Sequence, residues 1–492
     1  MFRENPDVFV FINEINCNAV SVKTKMMRLF ITICCLIAGS SGFGQIPDLP
    51  VAGRVSASNI FGRSGEVNKN YGNKSSQRLE PVIRPHVQNS NHLRAEEMIR
   101  KDLENENRRI AEAENYKKFM LAPLSGQKGT EAYYRAFENL SKLDHDNYSL
   151  AEAVFLVENA YYDNDKDFQK SYQSQIQRAV DIIRRSSNRN GTVDDNVSRN
   201  LAVFRYFAED SKIGSKVAHK AIKYDFEDYM GAKDYSKMFV SKLMKKNSGQ
   251  CHSMPLLYLI LAEQIGAEAY LVMSPNHSYI RFEGDDGEML SIELTNGMFS
   301  ANSFVLNSGY IKAEALKNKL YMQNLGKKEV LSQTFVDLAS GYIHKYGYDE
   351  FVAKVINKAL QLNPNNINAH LWKSNTDQVR FMQSTARFGI DPQNNEQLQH
   401  IRDIPPLDMQ YREINRGFVY IDSSGFAEMP AEQYQQWLGS MKSTENKQKS
   451  DEITERIQFL NRHKQSESLK KSKTITPKKE APKTFRIPKE FL

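Results

Sequence analysis

The order of periodic patterns along this 492-residue chain predicts an α+β fold. Apolar residues recur at helical spacing through residues 130–225, as Leu150, Val154 and Val157 do at i, i+4 and i+7. Toward the middle of the chain the period changes to that of short strands, and helical spacing returns beyond residue 332. We therefore expect a large helical N-terminal part, a small sheet and α-helical hairpins behind it, with disordered ends.

The first 44 residues have the features of an export signal. The apolar run of about ten residues is too short to span a bilayer, so we expect cleavage rather than anchoring. A lipoprotein signal at Cys34 is the alternative, but Ile33 is bulky where such signals carry a small residue. The sequence thus predicts an exported protein, periplasmic or secreted, with no transmembrane helix after signal removal and translation starting at Met26 or Met27. The signal comprises a basic start (Lys23, Lys25, Arg28), an apolar run (Leu29 to Gly39) and a small-x-small cleavage site (Gly42-Phe43-Gly44).

Cysteine usage follows from this signal. Cys17, Cys34 and Cys35 lie within residues 1–44, so the mature chain keeps only Cys251. A single thiol excludes internal disulfides, and exported proteins normally pair their cysteines or avoid them. Cys251 is therefore either a buried hydrophobe, which is common for a free cysteine, or a nucleophile.

Polar and charged segments flank the expected folded body. Residues 45–92 read as a linker, residues 93–129 as a charged helix and residues 443–492 as a polar basic tail. The net charge is +7, and the tail beyond Gln465 carries most of it, so the body is nearly neutral. No nucleic-acid binding is expected, because the body has no basic stripe and an exported protein rarely meets nucleic acid.

Cys251 is predicted to lie at the start of a helix. An apolar face at helical spacing follows it, and Gly266 suits a helix C-cap. At a helix N-terminus the macrodipole and free backbone N–H groups favour an anion, which lowers the pKa of a thiol. The apolar face consists of Met254, Leu257, Tyr258, Leu261 and Ile265.

A predicted hairpin supplies a histidine and an acid. A strand over Ala269 to Met273 and a turn lead to two strands, His277 to Phe282 and Glu288 to Leu294. His277 and Glu293 are equally distant from position 285 in the intervening turn, so we expect them to be directly opposed across the ladder. His277 could then accept the thiol proton of Cys251 while Glu293 orients the imidazole.

Three motifs together resemble the transglutaminase-like superfamily over residues 130–325. The resemblance implies a papain-like fold with Cys251 as nucleophile, His277 as general base and acid, and Glu293 as orienting acid, with no cofactor. Gln250 is the oxyanion candidate. Two features depart from the family: its acid is usually an aspartate followed by proline, and no tryptophan or glutamine precedes the cysteine at the usual distance. The motifs are Gly249-Gln250-Cys251-His252-Ser253-Met254, Pro275-Asn276-His277-Ser278-Tyr279-Ile280 and Ile292-Glu293-Leu294-Thr295-Asn296-Gly297.

Residues 330–385 resemble tetratricopeptide repeat helices. Leu338 to Tyr342 match a first helix, Ala359 a second, and Leu362-Asn363-Pro364 the end of a repeat. Such helices serve either as a groove for a protein partner or as a structural buttress. The following segment, residues 386–442, reads as mixed, with a strand or docking segment at Gly417 to Ile421.

Together with the export signal, the first resemblance implies an exported transglutaminase-like cysteine enzyme that acts on protein or peptide amide bonds through a Cys251 thioester, as a hydrolase or an acyltransferase. The alternative is a catalytically degenerate scaffold in the cell envelope that uses the repeat-like helices. His252 beside Cys251 raises a zinc site as a third hypothesis, but neither CxxC nor HxxxH spacing occurs, so no metal is expected. The acidic residues at 225–228 are expected to cap helices or to stay solvated rather than to take part in catalysis.

Overall fold

The computed structural model describes residues 90–188, 195–440 and 443–474. The expected export signal, nearly all of the expected linker and the last 18 residues lie outside these ranges. Within them the α+β prediction is confirmed, since the chain is mostly helical with small sheets. No helix in the described ranges is long and apolar enough to cross a membrane.

Five helices form the N-terminal part of the described chain. The predicted apolar stripes are buried, including Val154 on the third helix and Val180 on the fourth. The charged helix expected over residues 93–129 ends earlier, at Lys117, and its apolar residues Met98 and Leu103 are mostly exposed. The helices are α1 (Ser90–Lys117), α2 (Thr130–Lys142), α3 (Leu150–Tyr161), α4 (Lys166–Asn188) and α5 (Asn196–Ala208).

The prediction of helix throughout residues 130–225 is wrong at its end. Short strands replace helix beyond Ala208, because Gly214 takes the left-handed conformation, with φ at 65°, and turns the chain into a hairpin. A parallel bridge of two residues follows, and it joins the segment at Tyr224 to Gly249. The elements are β1 (Ser211–Ile213), β2 (Lys216–His219), β3 (Lys223–Tyr224), α6 (Val240–Lys246) and β4 (Ser248–Gly249).

A buried helix and an antiparallel meander form the centre of the molecule. The helix is apolar on all sides, and its residues 253–262 are all buried, as expected for a helix enclosed by other elements. It ends at Gly266 as predicted, where φ is 75°. The four strands are paired in sequence order. These elements are α7 (Ser253–Ile265), β5 (Tyr270–Ser274), β6 (His277–Glu283), β7 (Met289–Glu293) and β8 (Met298–Ser300).

Helices make up the described chain beyond the sheet. The long central one is buried from Val330 to Ile343 and packs on α2, α3 and its successor. It packs on the next two long helices, so helices are present over residues 330–385 as expected. The elements are α8 (Asn302–Leu306), α9 (Ala313–Lys317), α10 (Lys327–Tyr346), α11 (Glu350–Leu362), α12 (Ile367–Arg387), α13 (Asn395–Leu398), α14 (Pro405–Ser423), α15 (Ala431–Ser440) and α16 (Thr444–Thr474).

The strand expected at Gly417 to Ile421 is wrong, because this segment is the last part of α14. The run of β-branched and aromatic residues has strand propensity, but Leu407, Ile414 and Ile421 recur every seven residues and are all buried. Val419 is exposed. Packing of this helical face against α12 therefore overrides local propensity.

The expected polar tail is helical over most of its described length. Helix α16 packs on β8, and the hydroxyl of Ser450 accepts a hydrogen bond from Phe299 N at 3.1 Å. Its basic residues reach the hairpin turn and α5: Arg456 pairs with Glu288 at 2.9 Å, and Lys464 with Asp195 at 2.8 Å. The sequence composition indicates a solvated tail in this region. It does so because few apolar residues lie on the face of α16 that packs on the sheet.

Candidate active site

Cys251 lies in the turn that leads into α7, two residues before the helix begins. The bridge between β3 and β4 fixes this turn from one side, and the backbone of Gln250 donates to Ser253 Oγ at 3.2 Å. Gly249 is required by the packing, since a Cβ there would lie 2.5 Å from Leu243 Cδ1 and 2.8 Å from Ser253 Oγ. The thiol therefore has a fixed position at the helix N-terminus, as the sequence indicates.

His277 and Glu293 form a sealed pair on the sheet. His277 Nε2 lies 2.7 Å from Glu293 Oε2, and the two side chains are 0% and 2% exposed. The predicted register is wrong, however: Ile280 pairs with Ile292, so the turn is centred one residue later and the two residues are diagonal neighbours. Diagonal positions share one face of the sheet and remain within reach of long side chains.

The carboxylate of Glu293 is held on its other oxygen as well. Thr295 donates to Oε1 from its backbone N–H at 3.1 Å and from its hydroxyl at 2.7 Å. Both carboxylate oxygens are thus hydrogen-bonded, which fixes the orientation of the acid and hence that of the imidazole.

The electrostatics of the site favour a thiolate beside an imidazolium. Burial raises the pKa of the Cys251 thiol, but hydrogen bonding and charge from His277 and a hydrogen bond from Tyr434 bring it below its ordinary value. Burial lowers the pKa of His277, but the charge of Glu293 and hydrogen bonds with Cys251 and Glu293 raise it to about 10. The lowered pKa of the thiol and the raised pKa of the imidazole both favour this charged pair.

A second histidine lies beside the thiol on the other side. His252 Nε2 is 3.3 Å from Asp337 Oδ2 of α10. Burial lowers the pKa of His252, and the charge and hydrogen bond of Asp337 raise it to above its ordinary value. Asp337 Oδ1 accepts from Gln333 Nε2, and Gln333 Oε1 accepts from Asn368 Nδ2, both at 3.1 Å. This chain of hydrogen bonds links the site to α12. In the described ranges no cluster of three potential metal ligands occurs.

The segment around α15 covers the thiol. Cys251 is 7% exposed and forms an apolar cluster with residues of this segment. The Tyr434 hydroxyl lies 3.2 Å from His277 Nδ1, and the Trp437 ring meets the imidazole edge to face, with centroids 5.1 Å apart. Met429 and Leu438 complete the cluster, and Met429 O accepts from Asn276 Nδ2 at 2.7 Å.

The oxyanion candidate Gln250 is fully buried, and neither atom of its side-chain amide has a hydrogen-bond partner. It does not line the cavity that Cys251 and His277 reach, so its role stays a prediction. Among the acidic residues ahead of the cysteine, Asp225 forms an ion pair with Lys242 at 2.5 Å, and its pKa is lowered by hydrogen bonding and charge from that lysine, which outweigh burial. This agrees with a structural role.

A cavity of about 300 Å³ opens from the thiol toward the helical hairpins. Cys251, His252 and His277 line it, as do Leu371 and Trp372 of α12. Carboxamide side chains are frequent on its walls, and they can both donate to and accept from a polypeptide backbone. They include Asn276, Gln323, Asn324, Gln333, Asn363 and Asn368.

Several residues of the site carry no local sequence signal. Tyr434 and Trp437 follow His277 by more than 150 residues, and Asp337 lies on a helix whose periodicity indicates only core packing. Thr295 could have been found, because a hydroxyl residue two positions after an acid can hydrogen-bond back to it.

No protein-family model matches the chain, and no curated protein is significantly similar to it. A solved structure that does match is the crystal structure of menin, described as revealing the binding site for Mixed Lineage Leukemia (MLL) protein. The match has a TM-score of 0.26 and 10% sequence identity, and it covers 63% of this chain and 87% of the menin chain. A TM-score this low establishes no shared fold.

Proposed function

We propose that this protein is an exported cysteine enzyme of the transglutaminase-like kind, acting on protein or peptide amide bonds as a hydrolase or an acyltransferase. The observation that carries the proposal is the buried His277–Glu293 pair beside a thiol at a helix N-terminus. A sealed, doubly hydrogen-bonded carboxylate that orients a histidine next to a cysteine is the arrangement that nucleophilic catalysis requires.

The chemistry follows from the protonation states of the site. The Cys251 thiolate attacks the carbonyl carbon of an amide and forms a tetrahedral intermediate. The C–N bond breaks as the His277 imidazolium gives its proton to the departing amine, which leaves a thioester on the sulfur. Water or a second amine then attacks the thioester, His277 takes its proton, and the Cys251 thiolate is released as the leaving group.

The cavity supports a polypeptide as the source of the amide. Its carboxamide-rich walls offer donors and acceptors to a peptide backbone, and Cys251 lines it together with residues of α12. The resemblance of α10 to α12 to tetratricopeptide repeats is consistent with a module that presents such a chain, or a protein partner, to the thiol.

A catalytically degenerate scaffold is the second candidate function. The burial of Cys251 under Tyr434 and Trp437 favours it, because a nucleophile must be reached by its substrate. The charge state of the thiol separates the two functions, since an inert structural cysteine has no reason to be held as a thiolate.

Acylation of the mature protein by p-nitrophenyl acetate tests the proposal. We expect a burst of nitrophenolate and an acetyl thioester on Cys251, detected by intact mass and tryptic mapping, and loss of both in Cys251→Ser and His277→Ala. His400→Ala is the matched control, since His400 is exposed and distant in sequence from the site. Acylation of wild type no faster than that of Cys251→Ser would overturn the enzyme proposal and favour the scaffold.

A further inference from the structure

The hydroxyl of Tyr434 contacts the base of the site, and its ring packs with the thiol. It lies 3.2 Å from His277 Nδ1, while the other ring nitrogen is committed to Glu293 at 2.7 Å. Tyr434 is 0% exposed and packs in one cluster with Cys251. Nδ1 is therefore the ring nitrogen left for other partners, and it is hydrogen-bonded to Tyr434, while the neutral thiol donates to Asn276 O at 3.7 Å.

We propose that Tyr434 is a fourth member of the site, whose hydroxyl bridges the ion pair: it accepts from His277 Nδ1–H and donates to the Cys251 thiolate. The inference rests on the proposed thiol function. Tyr434 lies on α15, which none of the three sequence motifs of the triad includes.

The proton balance of this step is complete. The thiol proton passes from Sγ to His277 Nδ1, so a thiolate and an imidazolium form while Tyr434 keeps its own proton and stays neutral. Afterwards Nδ1–H donates to the Tyr434 oxygen, and the hydroxyl proton remains directed at the sulfur. Burial and the neighbouring negative charge of Cys251 raise the pKa of Tyr434 well above its ordinary value, which keeps it a donor.

The surroundings hold this hydroxyl in position. Tyr224 Oη lies 3.3 Å from Tyr434 Oη and can donate to it, so the Tyr434 oxygen accepts from two sides while its proton faces the sulfur. The Tyr229 ring stacks on the Tyr434 ring with centroids 5.4 Å apart. The titratable groups around the thiol are His277, Glu293, His252, Asp337, Tyr224, Tyr229 and Tyr434.

The contact between Tyr434 and the site has an opposite interpretation, in which the tyrosine only blocks the thiol. A tyrosine that merely blocked the site would separate the thiol from its base, and its removal would make the sulfur more reactive. The direction of the change in thiol reactivity therefore decides between a hydrogen-bonding bridge and a blocking residue.

The test is the pH dependence of Cys251 alkylation by iodoacetamide, with thiolate absorbance as a second readout, in mature wild type and Tyr434→Phe. We expect the apparent thiol pKa to rise by about one unit or more, because a hydrogen bond to a charged group is lost, and alkylation near neutral pH to slow accordingly. Tyr420→Phe is the matched control: its hydroxyl contacts only the Pro364 carbonyl on the repeat side. Tyr224→Phe should shift the pKa in the same direction by less.

An unchanged thiol pKa, or faster alkylation in Tyr434→Phe, would overturn the proposal. His277→Ala, measured in parallel, separates this failure from that of the enzyme proposal. If His277→Ala raises the thiol pKa and Tyr434→Phe does not, only the bridge fails; if neither does, the proposed function fails as well. Near-ultraviolet circular dichroism confirms that each variant keeps its aromatic packing.

Discussion

Two histidine–carboxylate pairs lie on either side of Cys251, and they differ in how they are enclosed. The His277–Glu293 pair is 2.7 Å apart and sealed within the sheet and α15. The His252–Asp337 pair is 3.3 Å apart and more exposed, and Asp337 is linked through Gln333 to α12. The comparison predicts different effects for the same residue types: the sealed pair is expected to set the charge of the sulfur, and the second, more open pair to act on it less.

The largest effect on the thiol is expected from removing the histidine of the sealed pair. His277→Ala should raise the apparent thiol pKa to about 8.5 or above, because burial then acts without the compensating imidazolium. In wild type the thiolate persists below that value, so the difference in alkylation rate should be largest near neutral pH and vanish at high pH. His252→Ala is the comparison variant, and an equal shift there would remove the distinction between the pairs.

Neutralising the sealed acid should have the next largest effect. Glu293→Gln lowers the pKa of His277 from about 10 by about one to three units, since an opposite charge is lost. In wild type the raised pKa of His277 contributes stability that is fully present below about pH 6.5 and is lost as pH rises through about 10.

Denaturant unfolding of the wild type and Glu293→Gln at intervals from pH 6 to 10.5 measures this contribution. The gap in free energy of unfolding should narrow toward the upper end. A gap independent of pH would mean that the pair is not charged in the folded protein.

The open pair should affect the thiol less. In Asp337→Asn the pKa of His252 falls, because Asp337 supplies the charge that raises it, but the thiol pKa should rise by less than about one unit. The variant also loses a carboxylate that accepts from Gln333, so the wall of the cavity should change before the sulfur does. Alkylation profiles together with KM for any identified substrate distinguish a change in binding from a change in thiol charge.

The smallest effect on the thiol is expected from Thr295, which donates hydrogen bonds to the carboxylate of the sealed pair. Thr295→Val removes the hydroxyl that donates to Glu293 Oε1 but leaves the backbone donor in place. Stability should fall by about 1.5 kcal/mol, while the thiol pKa stays close to that of wild type. A thermal melt and an alkylation profile on the same samples check both parts, and a large pKa change would show that Thr295 sets the charge as well as the orientation of Glu293.

Local patterns predicted the parts of the site that are close in sequence. The helix start at Cys251, the C-cap at Gly266 and the hairpin carrying His277 and Glu293 follow from periodicity and turn residues. The predicted strand register was wrong because the predicted centre of the turn was one residue too early. Gly284 N–H donates to Glu288 O, which places the centre at residue 286 instead of 285. Side-chain reach brings the two residues together in spite of this shift.

Long-range packing explains what was not predicted. The segment at Gly417 to Ile421 has strand propensity but forms helix because its seven-residue repeat packs on α12. The polar stretch after Ser443 becomes α16 because it docks on β8. Nothing around Tyr434 or Trp437 in the sequence indicates a partner on the sheet. Their contacts depend on the lengths and packing of the helices between the sheet and α15, which return the chain to the sheet.

The position of Tyr434 late in the chain has a consequence for biogenesis. The triad residues are all synthesised before residue 294, but the helix that encloses the sulfur follows more than 130 residues later. A product truncated before Tyr434 would hold Cys251, His277 and Glu293 and still lack the covering segment and its hydroxyl. Completion of the site is thereby tied to completion of the folded chain, and a fragment released early would present an uncovered thiol that oxidation could reach.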